Sequence, residues 1–164
     1  MSKPGPQTAE AAPRTQTSHA PRALMGTYSR NLDPKRRLTI PSVWRTALGP
    51  DFVYVMPDPK RRCLQLLAQD AMEARIAKYR EMALGDAEIN AALDAIGAAS
   101  ELLEFDVQGR IRINDDLLAY ANLKGSVVLK GGVRMATIWP AEKSEEDIAT
   151  RVEKLGDALA KLNF

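Results

Sequence analysis

Apolar and polar residues alternate in short runs along the first half of this chain, and the same succession of runs returns in the second half. Residues 26–32 and 37–40 read as two short strands, with turn formers standing between them. A helical run comes next, from Pro41 or Ser42 through Val43-Trp44-Arg45-Thr46-Ala47-Leu48, where proline suits the first turn. Residues 52–56 and 63–67 then make a strand pair around Pro57-Asp58-Pro59-Lys60-Arg61. In the second half a helical run over 117–121 leads into strands at 127–130 and 136–139, with Gly131-Gly132 read as the tight turn between them. One supersecondary unit used twice predicts an α+β fold built as a pseudo-twofold pair whose half-cores complete each other.

Period 3.6 takes over between and after the two units. Residues 70–84 carry Met72, Ile76, Tyr79 and Ala83 on one stripe, and residues 86 to about 99 carry Ile89, Leu93 and Ile96. Gly85 ends the first helix and Asp86 caps the second. Ser144-Glu145-Glu146-Asp147 opens a terminal helix in the manner of a capping box. The apolar residues of that helix, Ile148, Val152, Leu155, Leu159 and Leu162, are spaced 4, 3, 4, 3, a coiled-coil-like seam that packs either on its own domain or against another subunit. Residues 1–23 differ from the rest: Pro4, Pro6, Pro13 and Pro21 among Ser, Thr, Gln and Ala predict a disordered arm, either a passive tail or a basic arm touching phosphate. The chain therefore divides into an arm at 1–23, a first repeat at 24–84, a linking helix at 85–104, a second repeat at 105–143 and a terminal helix at 144–164.

The chemistry of the repeat lies in its turns. Asp33-Pro34-Lys35-Arg36-Arg37 is answered 73 positions later by Asp106-Val107-Gln108-Gly109-Arg110, each leading into a short apolar strand. Asp caps turn amides, Pro presets φ and Gly accepts positive φ, so both read as a type I turn closed by a left-handed residue. Asp and Arg four apart across such a turn can pair, holding the guanidinium at a fixed angle. Arg36 stands where the second copy has Gly109, and a left-handed backbone there costs about 1–2 kcal/mol for any residue with a Cβ. Either the first turn differs or something compensates.

Charge is distributed unevenly. The whole chain is only +2, yet residues 24–62 hold eight basic side chains against three acidic, while residues 63–103 hold three basic against seven acidic. Asp-Pro-Lys-Arg-Arg occurs twice in the basic stretch, at 33–37 and 58–62, each time at a predicted turn. Two basic tips on one repeat can clamp phosphate, although exposed turns also carry charge simply for solvation. Catalysis finds little support: Cys63 is the sole cysteine, His19 lies in the arm, and the acids at 115–116 and 145–147 sit at helix starts where the helix dipole favours them. Nothing calls for a cofactor, a metal, a membrane or a small-molecule substrate. One cysteine excludes an internal disulfide, which points to the reducing cytoplasm.

The repeated segments resemble the MraZ family of bacterial transcription regulators, one of the AbrB-like swapped-hairpin proteins. The resemblance covers about residues 25–143. It is carried by residues 26–41, by Phe105-Asp106-Val107-Gln108-Gly109-Arg110-Ile111, by residues 118–123 and 127–131, and by Ile138-Trp139. The family's Lys-Gly-Arg triplet is Lys35-Arg36-Arg37 here. The resemblance implies two tandem swapped-hairpin β units forming a pseudo-twofold barrel with linking helices and a C-terminal helix. It implies a nucleoid-associated ring of identical subunits that reads direct repeats of double-stranded DNA before a division and cell-wall gene cluster. Arg37, Arg110 and Arg112 would then contact DNA, oriented in part by Asp33 and Asp106, with Lys35 and Arg36 on the backbone and Lys60, Arg61 and Arg62 as a second clamp. A different class stays open on the same scaffold: an oligomeric, antitoxin-like protein that engages a protein partner and binds DNA weakly or not at all.

Overall fold

A computed structural model describes residues 23–144 and 146–164, so the expected arm lies outside the described residues except for Ala23. The first repeat contains β1 (Thr27–Asn31), β2 (Arg37–Thr39), α1 (Ser42–Leu48), β3 (Phe52–Pro57) and β4 (Leu64–Ala68). Helices α2 (Gln69–Met82) and α3 (Ala87–Ala99) come next. The second repeat contains β5 (Glu101–Glu104), β6 (Arg110–Arg112), α4 (Asp115–Ala121), β7 (Ser126–Gly131) and β8 (Met135–Pro140). A short 3-10 turn, Ala141–Lys143, leads to α5 (Ile148–Leu162).

Six strands form an antiparallel sheet in the order β1-β7-β8-β4-β3-β5, and β2 and β6 form a separate antiparallel ribbon. Exchanging each strand for its counterpart in the other repeat leaves this order unchanged. The first strand of each repeat pairs not with its own repeat but with the third strand of the other, β1 with β7 and β5 with β3. At the centre β4 pairs β8, with Leu64 opposite Ile138 and Leu67 opposite Met135. In the ribbon Leu38 stands opposite Ile111, each the middle residue of a three-residue strand.

Two expectations about this architecture need correction. Among the described residues the sheet is open, with β1 and β5 at its edges, and no closed barrel forms. Closure fails because β2 and β6 leave their turns and pair with each other, so neither extends the main sheet. For the same reason β1 and β2 are not a paired hairpin, although a tight turn joins them.

The core lies between the sheet, the ribbon and the two short helices. Trp44 and Leu48 of α1 and Leu117, Leu118 and Ala121 of α4 pack with Val53, Val55, Leu64, Leu66, Val127, Leu129, Ala136 and Ile138, and with Leu38, Ile40, Ile111 and Ile113. Seven-residue helices are too short to persist alone, so burial of this stripe is what holds them. Asn114 caps α4 by accepting from the Leu117 amide, and Asn122 ends it in the left-handed region. The Trp44 indole donates to the Met25 carbonyl at 2.7 Å and meets Tyr28 edge to face.

The linking helices obey the predicted punctuation, with Gly85 at φ +84° and the Asp86 carboxylate accepting from the Glu88 and Ile89 amides. Strand β5 occupies the end of the segment read as linking helix. Glu-Leu-Leu-Glu has no β-branched residue and becomes a strand by pairing onto β3. The cap of α5 is Asp147, which accepts from the Thr150 amide, while Ser144 closes the 3-10 turn instead. The β7–β8 turn places Val133, not a glycine, at positive φ, fixed by a pair of backbone hydrogen bonds with Leu24. Gly131 is needed for close approach, since a Cβ there would lie 2.4 Å from the Leu24 carbonyl oxygen.

Candidate nucleic-acid interface

The two repeat turns have the same geometry. In the first, the Asp33 carboxylate accepts from the Lys35 and Arg37 amides at 2.9 and 2.8 Å and from Arg37 Nε at 2.6 Å. In the second, Asp106 accepts from the Gln108 and Arg110 amides at 2.9 and 3.0 Å and from Arg110 Nε at 2.6 Å. Burial raises the Asp33 carboxyl, but the Arg37 amide, the Arg37 guanidinium and the Lys35 amide together hold it below the usual range. The Arg110 amide leads in holding Asp106 low, against a smaller effect of burial. Each guanidinium is thus fixed through Nε by an ionised carboxylate.

Arg36 adopts φ +63° and Gly109 φ +77°, so the backbone is left-handed in both turns. The carbonyl of each accepts from the opposite repeat, Arg36 from the Ile113 amide and Gly109 from the Ile40 amide, both at 3.0 Å. What surrounds them differs. Over Gly109 lies Arg45 of α1, and a Cβ would meet its Nη1 at 2.8 Å. The position 73 residues after Arg45 is Leu118, which turns into the core, so the first turn has room for a side chain. Arg36 uses that room to pair with Asp115 at 2.5 Å, an exposed contact that offsets only part of the backbone cost.

The ribbon brings the two turns together. Leu38 and Ile111 point inward, so Arg37, Thr39, Arg110 and Arg112 share the opposite face, with Arg37 beside Arg112 and Thr39 beside Arg110. Like charges directly opposite on paired strands destabilise the pair by a few tenths to about 1 kcal/mol. Asp33 and Asp106 relieve two of the three guanidiniums. Arg112 and Lys35 have no acidic partner among the described residues, and both are exposed.

Comparison with known proteins finds relatives over most of the chain. A protein of Leuconostoc mesenteroides named Transcriptional regulator MraZ is 34% identical over 119 residues, 73% of this chain and 82% of its own. A protein of the same name from Mycolicibacterium smegmatis is 31% identical over 123 residues, 75% of this chain and 85% of its own. The chain belongs to the MraZ family. A third MraZ, from Alkaliphilus metalliredigens, is 28% identical over 143 residues, 81% of this chain and 99% of its own. No family model matches.

This MraZ-family chain carries a third Asp–Arg turn, in the β3–β4 loop. Asp58 is 4% exposed and accepts from the Lys60 and Arg61 amides, from Arg61 Nε at 2.9 Å and from Gln65 Nε2 at 2.8 Å. Burial opposes its charge, yet the Gln65 side chain, the two amides and the Arg61 guanidinium outweigh burial and hold the carboxyl far below the ordinary range. Arg61 lies over Trp139 and Arg62 over Tyr120, whose hydroxyl donates to the Asp58 carbonyl. Lys60, Arg61 and Arg62 therefore stand on a different element from the ribbon, with α4 between the two. Asp115 at its start holds Arg36, and Tyr120, about 7.5 Å further along the axis, holds the loop.

Sequence reasoning missed Arg45 as a neighbour of the second turn. Its guanidinium lies 5.1 Å from the Phe105 ring centre, and its Nε is buried without a partner among the described residues. The one available signal was the glycine at 109, which leaves space for a side chain from elsewhere. Cys63 is fully buried, and burial pushes its thiol up to about 11, which makes it a poor nucleophile. Among the described residues, no helix is long and apolar enough to cross a membrane.

Proposed function

We propose that this chain is a sequence-specific DNA-binding transcription regulator of the cytoplasm and nucleoid. The observation that carries the reading is the β2–β6 ribbon, where arginines from two repeats 73 residues apart share one outward face over a buried Leu38–Ile111 floor. A two-stranded β-ribbon fits the B-DNA major groove, and a guanidinium anchored through Nε keeps its terminal nitrogens for a guanine edge. Arg37 and Arg110 read bases, while Lys35, Arg36 and Arg112 neutralise backbone phosphate. Lys60, Arg61 and Arg62 form a flanking phosphate clamp. The exchange of first strands between the repeats supports the tandem swapped-hairpin reading of the fold.

With so few cations per chain, useful affinity needs several linked copies on repeated sites. The working unit is therefore a ring-shaped homo-oligomer on direct repeats in front of a division and cell-wall gene cluster, in keeping with the family resemblance. A gel shift on the DNA upstream of its own gene tests the reading. Retardation of that DNA over random DNA at matched salt supports it, and equal affinity for both contradicts it. The exposed seam of α5 favours a protein-binding surface as well, and that surface belongs to self-association.

A further inference from the structure

The outer face of the main sheet is finished differently in the two repeats. In the first, Tyr54 stands opposite Leu67 and Met56 opposite Gln65, and α2 follows β4 directly and buries Met72 beside them. In the second, the same pairings put Val128 opposite Trp139 and Lys130 opposite Thr137. A 3-10 turn here separates β8 from α5, and no residue of α5 is buried. The apolar seam of α5 faces solvent, so Thr150 and Lys154, one turn apart on its other side, are turned toward the sheet. Between them and the strands lies a hollow of about 500 Å³, lined also by Lys130, Trp139 and Ser144. That size is within the range of small-ligand sites, about 300–1,000 Å³.

The lining suits an anion beside an aromatic ring. Lys130 Nζ lies 5.8 Å from the Trp139 ring centre and 3.9 Å from Glu146 Oε2, and Lys154 pairs with the same carboxylate. Ser144 is 3% exposed and its Oγ has no hydrogen-bond partner among the described residues, a bond that a ligand oxygen would complete. The 15-residue α5 brings the positive end of its dipole to the same place, with Asp147 already accepting from the Thr150 amide. The Trp139 indole donates to Thr137 Oγ1 at 2.8 Å, which fixes the ring in the wall of the hollow. Glu146 is itself an anion held here: the Lys154 hydrogen bond keeps its carboxyl below the usual range against burial, aided by the charges of Lys154, Lys130 and Arg151. We propose that this hollow binds a mononucleotide, whose phosphate displaces Glu146 from Lys130 and Lys154 and accepts from Ser144 Oγ, with the base against Trp139. The site is separate from the DNA-facing ribbon, since Lys130 and Trp139 alternate with the core residues Leu129 and Ile138 and so point away from it.

Trp139 supplies the readout, because the other tryptophan, Trp44, is 1% exposed in the core. Titration of the whole chain with AMP, in the absence of DNA, should quench tryptophan emission to saturation, and calorimetry should give the same affinity. Adenosine and inorganic phosphate should each bind at least about tenfold more weakly, since each lacks half of the contact. Lys130→Ala should weaken AMP binding at least about tenfold. Lys154→Ala should weaken it too, and at 68% side-chain exposure it disturbs no buried contact. Trp139→Phe should lose the quench. Glu146→Gln separates a ligand site from a structural ion pair: with the competing anion gone, AMP should bind up to about fivefold more tightly. Thermal melts without ligand check that each variant is folded. Four results overturn the proposal: no saturable quench in wild type, phosphate binding as tightly as AMP, a quench that survives Trp139→Phe, or a folded Glu146→Gln that binds no more tightly. A short single-stranded oligonucleotide that outcompetes AMP at matched salt also overturns it, by making the surface a nucleic-acid channel. The titration contains no DNA, so its outcome is independent of the DNA reading.

Discussion

Asp-Pro-Lys-Arg-Arg occurs at 33–37 and at 58–62, and the two copies adopt different structures. In the first, the fifth residue, Arg37, pairs with the aspartate, and the Asp33 amide donates to the carbonyl four residues on. In the second, the fourth residue, Arg61, makes the pair, and the Asp58 amide donates to the Cys63 carbonyl five residues on. Asp106-Val107-Gln108-Gly109-Arg110 shares only its two ends with 33–37 and yet reproduces that turn bond for bond. The segment after each turn sets its register. At Arg37 and Arg110 a strand begins at once and pairs across the pseudo-axis, which fixes the turn at four residues. After Arg62 the chain must first bury Cys63 and Leu64. Position in the repeat, more than local identity, decides which arginine the aspartate holds.

The largest effect expected from this contrast is on stability. Asp58→Ala removes a buried carboxylate that accepts from two amides and the Gln65 side chain, a loss of about 2–3 kcal/mol. Asp33→Ala, in a more exposed turn, should cost less stability but release Arg37. Urea unfolding of both variants checks the order, and equal losses would mean that the two loops are equivalent after all.

Next come the arginines. Arg37→Ala or Arg110→Ala should weaken binding to upstream DNA by about 1–3 kcal/mol and relax sequence preference. Arg61→Ala should weaken it evenly across sequences. Sequence-blind effects of all three would reduce the ribbon to a phosphate contact.

A smaller effect separates the two left-handed positions. Gly109→Ala should cost about 1–2 kcal/mol for the backbone and displace Arg45 in addition. Arg36→Gly relieves the same strain while losing the exposed pair with Asp115, worth about 0–1 kcal/mol, so stability should rise by no more than about 2 kcal/mol. Thermal melts of the two variants should therefore shift in opposite directions.

Acid should expose the carboxylates last. Asp33, Asp58 and Asp106 all have folded values below their ordinary 3.8. Their contribution is therefore complete above about pH 5 and is lost as pH falls through 3.8 toward the folded values. Denaturant midpoints should be flat from these groups between pH 7 and 5 and drop below pH 4, with a shallower drop in Asp58→Asn.

Much of this was legible in the chain. The doubled Asp–Arg spacing foretold both turn pairs, because an aspartate before a tight turn has few other donors to accept. The ribbon was not legible, since pairing β2 with β6 depends on two three-residue strands meeting across 73 positions. Glu101–Glu104 read as helix end because its strand character comes wholly from β3. Gly131-Gly132 drew the turn one residue too early, as glycine there serves the close passage of Leu24 while Val133 bears the positive φ. The Arg36–Asp115 pair was hidden because its partners lie in different repeats.

The central claim is that both repeats contribute cations to one DNA-facing surface. Lys35 and Arg112 test it most directly, since one comes from each repeat and neither holds an internal acid whose loss would disturb a turn. Affinity for upstream DNA, measured across salt, should fall linearly on a log-log plot. Lys35→Ala and Arg112→Ala should each make the slope shallower by about 0.9 for every subunit that contacts the DNA, and the double variant by about twice as much. A slope unchanged by either substitution would contradict a shared surface.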